Sequence, residues 1–518
     1  MAEKNDKSFF QNRKTLFISL GFTLFWGLIA HAYGLLNGIF SHDSLNALIV
    51  SPREELWKLE LGRFMVPGYR FLIRKGFAVP WLIGLLGFAY IGVSVYLITK
   101  IFRIHSVCAV FLTAGFCTTN LTVLAVIGTY IYEFDVDMFA FLLSITAVFF
   151  WRKDYKKGWL LGGILIALSA GFYQAYISVA VTSIMICCMV DLLNKEKIKD
   201  VIIKGISGIL MLIYGGGVYF LLLKLIMIFG KIELTNTENG LTNLLSRNES
   251  ICNITRNAFF YWVQKSTRLI PAYSHFTEKW LNIVLFSAAI LVVLRIIWKR
   301  KISLLSAFII LLIGVLMPVG INSVYIISDG MIHDLMIFSY AFNYILVAIL
   351  ILDTDLAGTY SRIIRSVCSI LLSVLLFGNI QSSNSLYLKK DLEKQSTLSV
   401  MTRVVDKIES YPEYVKGYTP VAIFGKYDQD TMKGFEEYES ITGNNISLAT
   451  SDYHPTDYFN TYNAYLSYIL NSGTIICSPD TWYRLEQSEI LRQMPVFPKD
   501  GCVQIIDGVL VVKMNNHY

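Results

Sequence analysis

Apolar runs of about 20 residues, the length of one helical crossing of a bilayer core, recur through the first three quarters of this chain. They run from Thr15 to Leu35, Trp81 to Thr99, Ser106 to Ile127, Val136 to Phe150, Gly158 to Ala170, Tyr176 to Leu192, Val201 to Phe229, Trp280 to Trp298, Ile302 to Gly320, Leu335 to Leu352 and Ile363 to Ile380. Hydrophobic residues make up 54% of the chain and charged residues 16%, a balance that a water-soluble domain does not tolerate. The expectation is a polytopic α-helical membrane protein of about 11 crossings, occupying residues 1–380, with an α/β domain at 381–518.

Lysine and arginine are retained on the cytoplasmic side of short loops. One set of alternate connectors carries Lys100 and Arg103; Arg152, Lys153, Lys156 and Lys157; Lys195, Lys197 and Lys199; Lys299, Arg300 and Lys301; Arg362 and Arg365. The short connectors of the other set, Gly128 to Asp135, Gly171 to Ala175 and Ile321 to Asp334, carry neither residue. The pattern predicts a cytoplasmic N-terminus and an extracytoplasmic C-terminus. It puts Asn37 to Pro80, Gly230 to Lys279 and everything after Ile380 on the outer face. The net charge of +7 is therefore topological and makes nucleic acid an unlikely partner. The polar Met1 to Lys14 and the uncleaved run behind it are read as a retained first helix.

The first outer loop alternates apolar and charged residues like two short helices lying in the membrane interface. Ser51, Pro52 and Glu54 form a capping box that starts the second of these helices, and Gly62 ends it. Asp43, after Ser41 and His42, sits at headgroup depth, where one carboxylate suffices as a general base; an N-cap for Ser44 to Val50 explains it equally well. Arg53, Lys58, Arg63, Arg70, Arg74 and Lys75 make this loop basic against the trend of the other outer connectors, which a phosphate ligand would explain. Arg63 is the chosen phosphate contact, Lys224 a secondary one that snorkelling also explains, and Arg74 and Lys75 are read as meeting lipid headgroups.

Sugar or acceptor contacts are sought among carboxylates and aromatic faces at the same depth. Asp135 is preferred within the stretch TYIYEFDVD, where helix-dipole stabilisation accounts for Asp137. Tyr173 and Gln174 are taken from GFYQAY, although Tyr173 also fits an interfacial aromatic. Glu55 joins them, with a solvated position as its plain alternative. The cysteines show no zinc-type spacing, and Cys477 and Cys502, outside the membrane runs, are a candidate disulfide. In the C-terminal region, a polar helix at Leu392 to Glu409 is expected. Strands are expected at Pro420 to Gly425 and Thr474 to Cys477, with a hairpin from Val503 to Lys513 turned by Asp507-Gly508.

At the HDS loop with Gly62-Arg63, the YEFD step at Tyr132 to Asp135, the GFYQA turn at Gly171 to Ala175, and the closing MPVFPKDGCVQIIDGVLVVKM, the chain resembles the GtrII-like glucosyltransferases of the GT-C class. These proteins decorate bacterial surface polysaccharides. The resemblance implies a glucosyl donor on undecaprenyl phosphate and a polysaccharide or lipid-linked acceptor outside the inner membrane. It also implies a separate carrier-loading synthase and a flippase. An acidic residue of the first outer loop is the usual base in that class, which maps onto Asp43. With a monophosphate leaving group and His42-Asp43 in place of paired acids, no metal or other cofactor is expected. A polysaccharide polymerase or ligase, and a lipid-linked sugar flippase, are the rival readings; the scattered histidines favour no acyltransferase.

Overall fold

A computed structural model describes residues 2–41, 44–45, 47–49, 51–235, 250–266, 275–352, 359–425, 434–438 and 461–516. The chain divides into two compact units. One comprises Met1–Leu36, Ser51–Ile127 and Tyr132–Asn384; the other comprises Asn37–Val50, Gly128–Ile131 and Ser385–Tyr518.

The first unit is helical. Among the described residues nine helices are long and apolar enough to cross a membrane: Arg13–Leu36, Pro80–Phe102, Val107–Thr129, Ile131–Lys153, Gln174–Leu193, Ile198–Gly230, Lys279–Lys299, Leu304–Ile321 and Arg362–Glu409. Shorter apolar helices, Gly158–Phe172 and Phe338–Leu352, fall where the fifth and tenth crossings are expected. This is a polytopic helical membrane protein. The last helix does not stop near Ile380 but runs unbroken from Thr359 to Glu409, absorbing the separate polar helix expected there. No glycine or proline interrupts residues 379–409, so nothing in that stretch ends a helix.

The helices that carry the site are α1 (Pro52–Glu60), α2 (Val66–Arg74), α3 (Phe134–Lys153), α4 (Gly158–Phe172) and α5 (Ile198–Gly230). Helix α5 buries Met211, Gly215, Tyr219 and Leu223 against the bundle while Ile206, Ile209, Ile213 and Leu221 stay exposed, as a lipid-facing surface requires. Its close approach to α4 depends on Gly215, where an added Cβ would lie 2.7 Å from the Gly163 carbonyl oxygen. Arg152 and Lys204 both pair with Asp191, and Arg300 Nη1 donates to the Leu193 carbonyl at 2.9 Å.

The second unit contains a sheet of order β2-β1-β4-β3, built from β1 (Pro420–Phe424), β2 (Ile475–Ile476), β3 (Val503–Ile506) and β4 (Val509–Lys513). β1 runs parallel to both neighbours, while β3 and β4 form an antiparallel hairpin. Asp507 and Gly508 take φ of 51° and 77°, the left-handed pair that a two-residue hairpin turn demands. Alternation along the strands splits the core. Val421, Ile423, Leu510 and Val512 pack on Val400, Met401, Val404 and Ile408, which share one face of the long helix. Ala422, Phe424, Val509 and Val511 pack on Trp482, Leu485 and Leu491. Trp482 stacks on Phe424 at 4.6 Å between centroids and donates to the Ile423 carbonyl at 3.0 Å. Cys477 belongs to the second of these clusters and Cys502 to the first, so the two thiols sit on opposite faces of the sheet, and both are free.

Candidate functional site

Helix α1 starts as its sequence dictates: the Ser51 hydroxyl accepts from the Glu54 backbone N–H at 3.2 Å, with Pro52 at the first helical position. Gly62, at φ 76°, then turns the chain toward α2. That turn is clamped by a segment over a hundred residues away. Gln174 Nε2 donates to the Leu61 carbonyl at 3.1 Å and to Tyr219 Oη at 2.9 Å, and Tyr219 Oη donates to the Gly62 carbonyl at 3.1 Å. The Met65 N–H closes the clamp on the Gly171 carbonyl at 3.0 Å. The Gly62-Arg63 and GFYQA motifs are thus two halves of one structure, and Gln174 works as its brace.

Helix α2 presents an inverted amphipathic pattern. Val66, Tyr69, Arg70 and Arg74 are buried, whereas Phe71 and Leu72 are 74% and 77% exposed. The reading of Arg74 as a headgroup contact is corrected by this burial: its Nη2 donates to the Tyr132 carbonyl at 2.9 Å and its Nε lies 3.4 Å from Asp135 Oδ2. Charged groups turn inward because carboxylates await them there and the surrounding solvent is apolar.

The centre of the cluster is Glu133. Its Oε1 lies 2.7 Å from Lys58 Nζ and 2.7 Å from Arg70 Nη2. Arg70 is completely buried and its Nη1 also lies 3.8 Å from Glu54 and 3.7 Å from Glu55. Lys58 additionally meets Glu54 at 3.1 Å, so the Glu54 side chain is turned into the cluster. Tyr69 Oη donates to Asp135 Oδ2 at 3.1 Å and faces Tyr90 Oη at 3.1 Å; burial and the Asp135 charge hold its phenol above the ordinary range. Arg63 stacks over the Tyr173 ring at 4.2 Å from its centroid. Glu55 is the carboxylate most open to a ligand, with a side chain 26% exposed. Burial pushes its pKa above the usual carboxylate value, the Arg70 charge opposing the shift, and its Oε2 is buried without a hydrogen-bond partner.

Five of the seven residues singled out from the sequence therefore share one neighbourhood: Arg63, Glu55, Asp135, Tyr173 and Gln174. Lys224 is not brought there; it is exposed on α5 and makes no ion pair with a described residue. Asp43 lies outside the described residues. Its neighbours Ser41 and Ser44 both donate through their hydroxyls to the Thr129 carbonyl. In that same unit the fully buried Lys389 pairs with Glu393 at 2.6 Å, and the equally buried Lys390 donates to the Gly128 carbonyl at 2.5 Å.

Sequence reasoning weighed Lys58, Arg70, Glu133, Asp137 and Tyr176 but chose none of them. The spacing Glu54/Lys58 and Arg70/Arg74, four residues apart, was the available signal for the first two. Among the described residues no group of three or more His, Cys, Asp or Glu is arranged to hold a metal ion. A family model described as Glucosyl transferase GtrII matches residues 32–354. No curated protein and no solved structure matches the chain.

Proposed function

This chain belongs to the glucosyl transferase GtrII family, and from that premise we propose that it moves a glucosyl group from a polyprenyl phosphate to a bacterial surface polysaccharide or its lipid-linked precursor. The observation that carries the proposal is the cluster of Lys58, Arg70, Glu54, Glu55 and Glu133, with Arg63 beside it on Tyr173, polar chemistry concentrated where a membrane protein otherwise keeps apolar side chains.

In this reading Asp43 takes the proton of the acceptor hydroxyl. The acceptor oxygen forms a bond to the anomeric carbon as the bond from that carbon to the phosphate oxygen breaks. The electron pair leaves with the lipid phosphate, whose charge Arg63 meets, and the linkage is inverted. Asp135 is paired with Arg74, and Glu55 offers an acceptor oxygen to a sugar. In the same reading the chain crosses the inner membrane eleven times with its N-terminus cytoplasmic and its C-terminus outside; Arg152 and Arg300, from two basic connectors, both reach the segment 191–194, which supports a shared side for those connectors. A separate synthase would then load the carrier and a flippase deliver it.

The test is direct. Purified protein, supplied with polyprenyl-phosphate glucose and lipid-linked acceptor, transfers the sugar, and Asp43→Asn abolishes transfer without unfolding the protein. Movement of the lipid across vesicles with no new glycosidic bond would replace this reading by transport.

A further inference from the structure

The three carboxylates at the start of α3 have different fates. Glu133 is matched by Lys58 and Arg70, and Asp135 by Arg74 and Tyr69. Asp137 is 5% exposed and makes no ion pair or hydrogen bond with a described residue. Its position follows from helical periodicity. Asp137, Phe141 and Ser144 lie on one face of α3, four and seven residues apart. Phe141 packs on the Tyr176 ring at 6.3 Å between centroids, and Ser144 Oγ donates to the Tyr176 carbonyl at 2.7 Å. One turn outward along that face, Asp137 comes within electrostatic reach of both Tyr173 and Tyr176, and of Arg63.

Tyr176 supplies a second, independent observation. It is 1% exposed, and its phenol oxygen is buried without a hydrogen-bond partner. Leaving such a hydroxyl unsatisfied costs roughly 1–3 kcal/mol, which proteins seldom accept without a ligand or a function to answer it. A carboxylate and a phenol, with the Tyr173 ring 5.9 Å from that of Tyr176, suit a ligand rich in hydroxyls.

We propose that Asp137 and Tyr176 bind hydroxyls of the transferred sugar and set which sugar the enzyme accepts. The inference rests on the glycosyl-transfer reading and gives it a specificity determinant. The experiment compares polyprenyl-phosphate glucose with its monodeoxy counterparts in the wild type, Tyr176→Phe and Asp137→Asn. The wild type is expected to reject at least one deoxy donor by on the order of 10- to 100-fold in kcat/KM, the worth of one or two hydrogen bonds. Each variant loses a similar factor on the glucosyl donor while handling the matching deoxy donor no worse than the wild type does, so discrimination collapses. Thermal unfolding supplies a readout apart from activity: Tyr176→Phe deletes an unsatisfied hydroxyl and is expected to leave the ligand-free protein at least as stable. Wild-type discrimination retained in both variants overturns the inference, as does a marked loss of ligand-free stability in Tyr176→Phe. Absence of any transfer by the wild type is a different result; it removes the glycosyl-transfer reading and this inference with it.

Discussion

Replacing Glu133 by glutamine tests whether the cluster is as dry as its burial implies. Glu133 Oε1 receives Lys58 and Arg70 at 2.7 Å each, and the three side chains are 6%, 5% and 0% exposed. At an effective dielectric constant of about 20, each contact carries roughly 6 kcal/mol of gross attraction. Desolvation cancels much of this in the intact cluster, but Glu133→Gln removes the attraction and leaves the cations where they are. Arg70 keeps Glu54 and Glu55 at 3.8 and 3.7 Å, whereas Lys58 keeps Glu54 at 3.1 Å. The expected loss is therefore about 3–5 kcal/mol, as for other buried pairs broken from one side, a large part of the roughly 5–15 kcal/mol that holds a protein folded. Equilibrium unfolding in mixed micelles reads this value. The double variant Glu133→Gln with Arg70→Met, which removes charge from both sides, is expected to be less destabilised than the sum of the single changes by more than about 1 kcal/mol. A loss below about 1 kcal/mol in the single variant, or simple additivity in the double one, would refute the reasoning and show that water reaches the cations.

Gly215→Ala forces a Cβ to 2.7 Å from the Gly163 carbonyl oxygen, against backbone that has no rotamer to yield; thermal unfolding in detergent should register an overpacking cost of about 1–3 kcal/mol. Because the Glu55 pKa is raised in the folded protein, folding takes up a proton there, and stability from this group falls as pH rises from the ordinary carboxylate value through the higher folded one. Glu55→Gln should remove that decline, and parallel pH–stability curves for the two proteins would exclude it. Cys477, buried and pushed up to about 11 by desolvation, and Cys502, on the other face of the sheet, should react with a maleimide at neutral pH only after unfolding. Mass spectrometry of the native protein should show both as thiols.

The membrane helices were legible because a bilayer imposes length and hydropathy on each crossing, and the hairpin because Asp507-Gly508 admits few conformations. The extension of the last helix to Glu409 was missed because a change from apolar to polar composition was taken for an end, whereas ending a helix requires a breaker or a cap. The arrangement of the candidate residues was not legible. Gln174 reads as a polar side chain at a turn, and only the fold reveals that it braces Leu61 and Tyr219. Likewise, Asp135 was preferred to Asp137 because helix-dipole stabilisation already accounts for Asp137. The pairing of Asp135 with Arg74 was not legible, because ion-pair partners 61 residues apart in the chain carry no local signal. The basic loop invited a phosphate, yet much of its charge is answered by Glu54, Glu55, Glu133 and Asp135.

The inward charge of helix α2 also orders events during synthesis. Arg70 precedes Glu133 by 63 residues, which at about 5–20 residues per second corresponds to roughly 3–13 s of translation. Throughout that interval the cations of the first loop exist without the carboxylates at the start of α3, while Phe71 and Leu72 already seek an apolar surface. We expect the loop to rest among water and lipid headgroups with its charged side outward and to roll over once the later acids arrive. A ribosome stalled before Glu133 would hold it in the unrolled state, its arginines open to soluble reagents that the finished protein excludes.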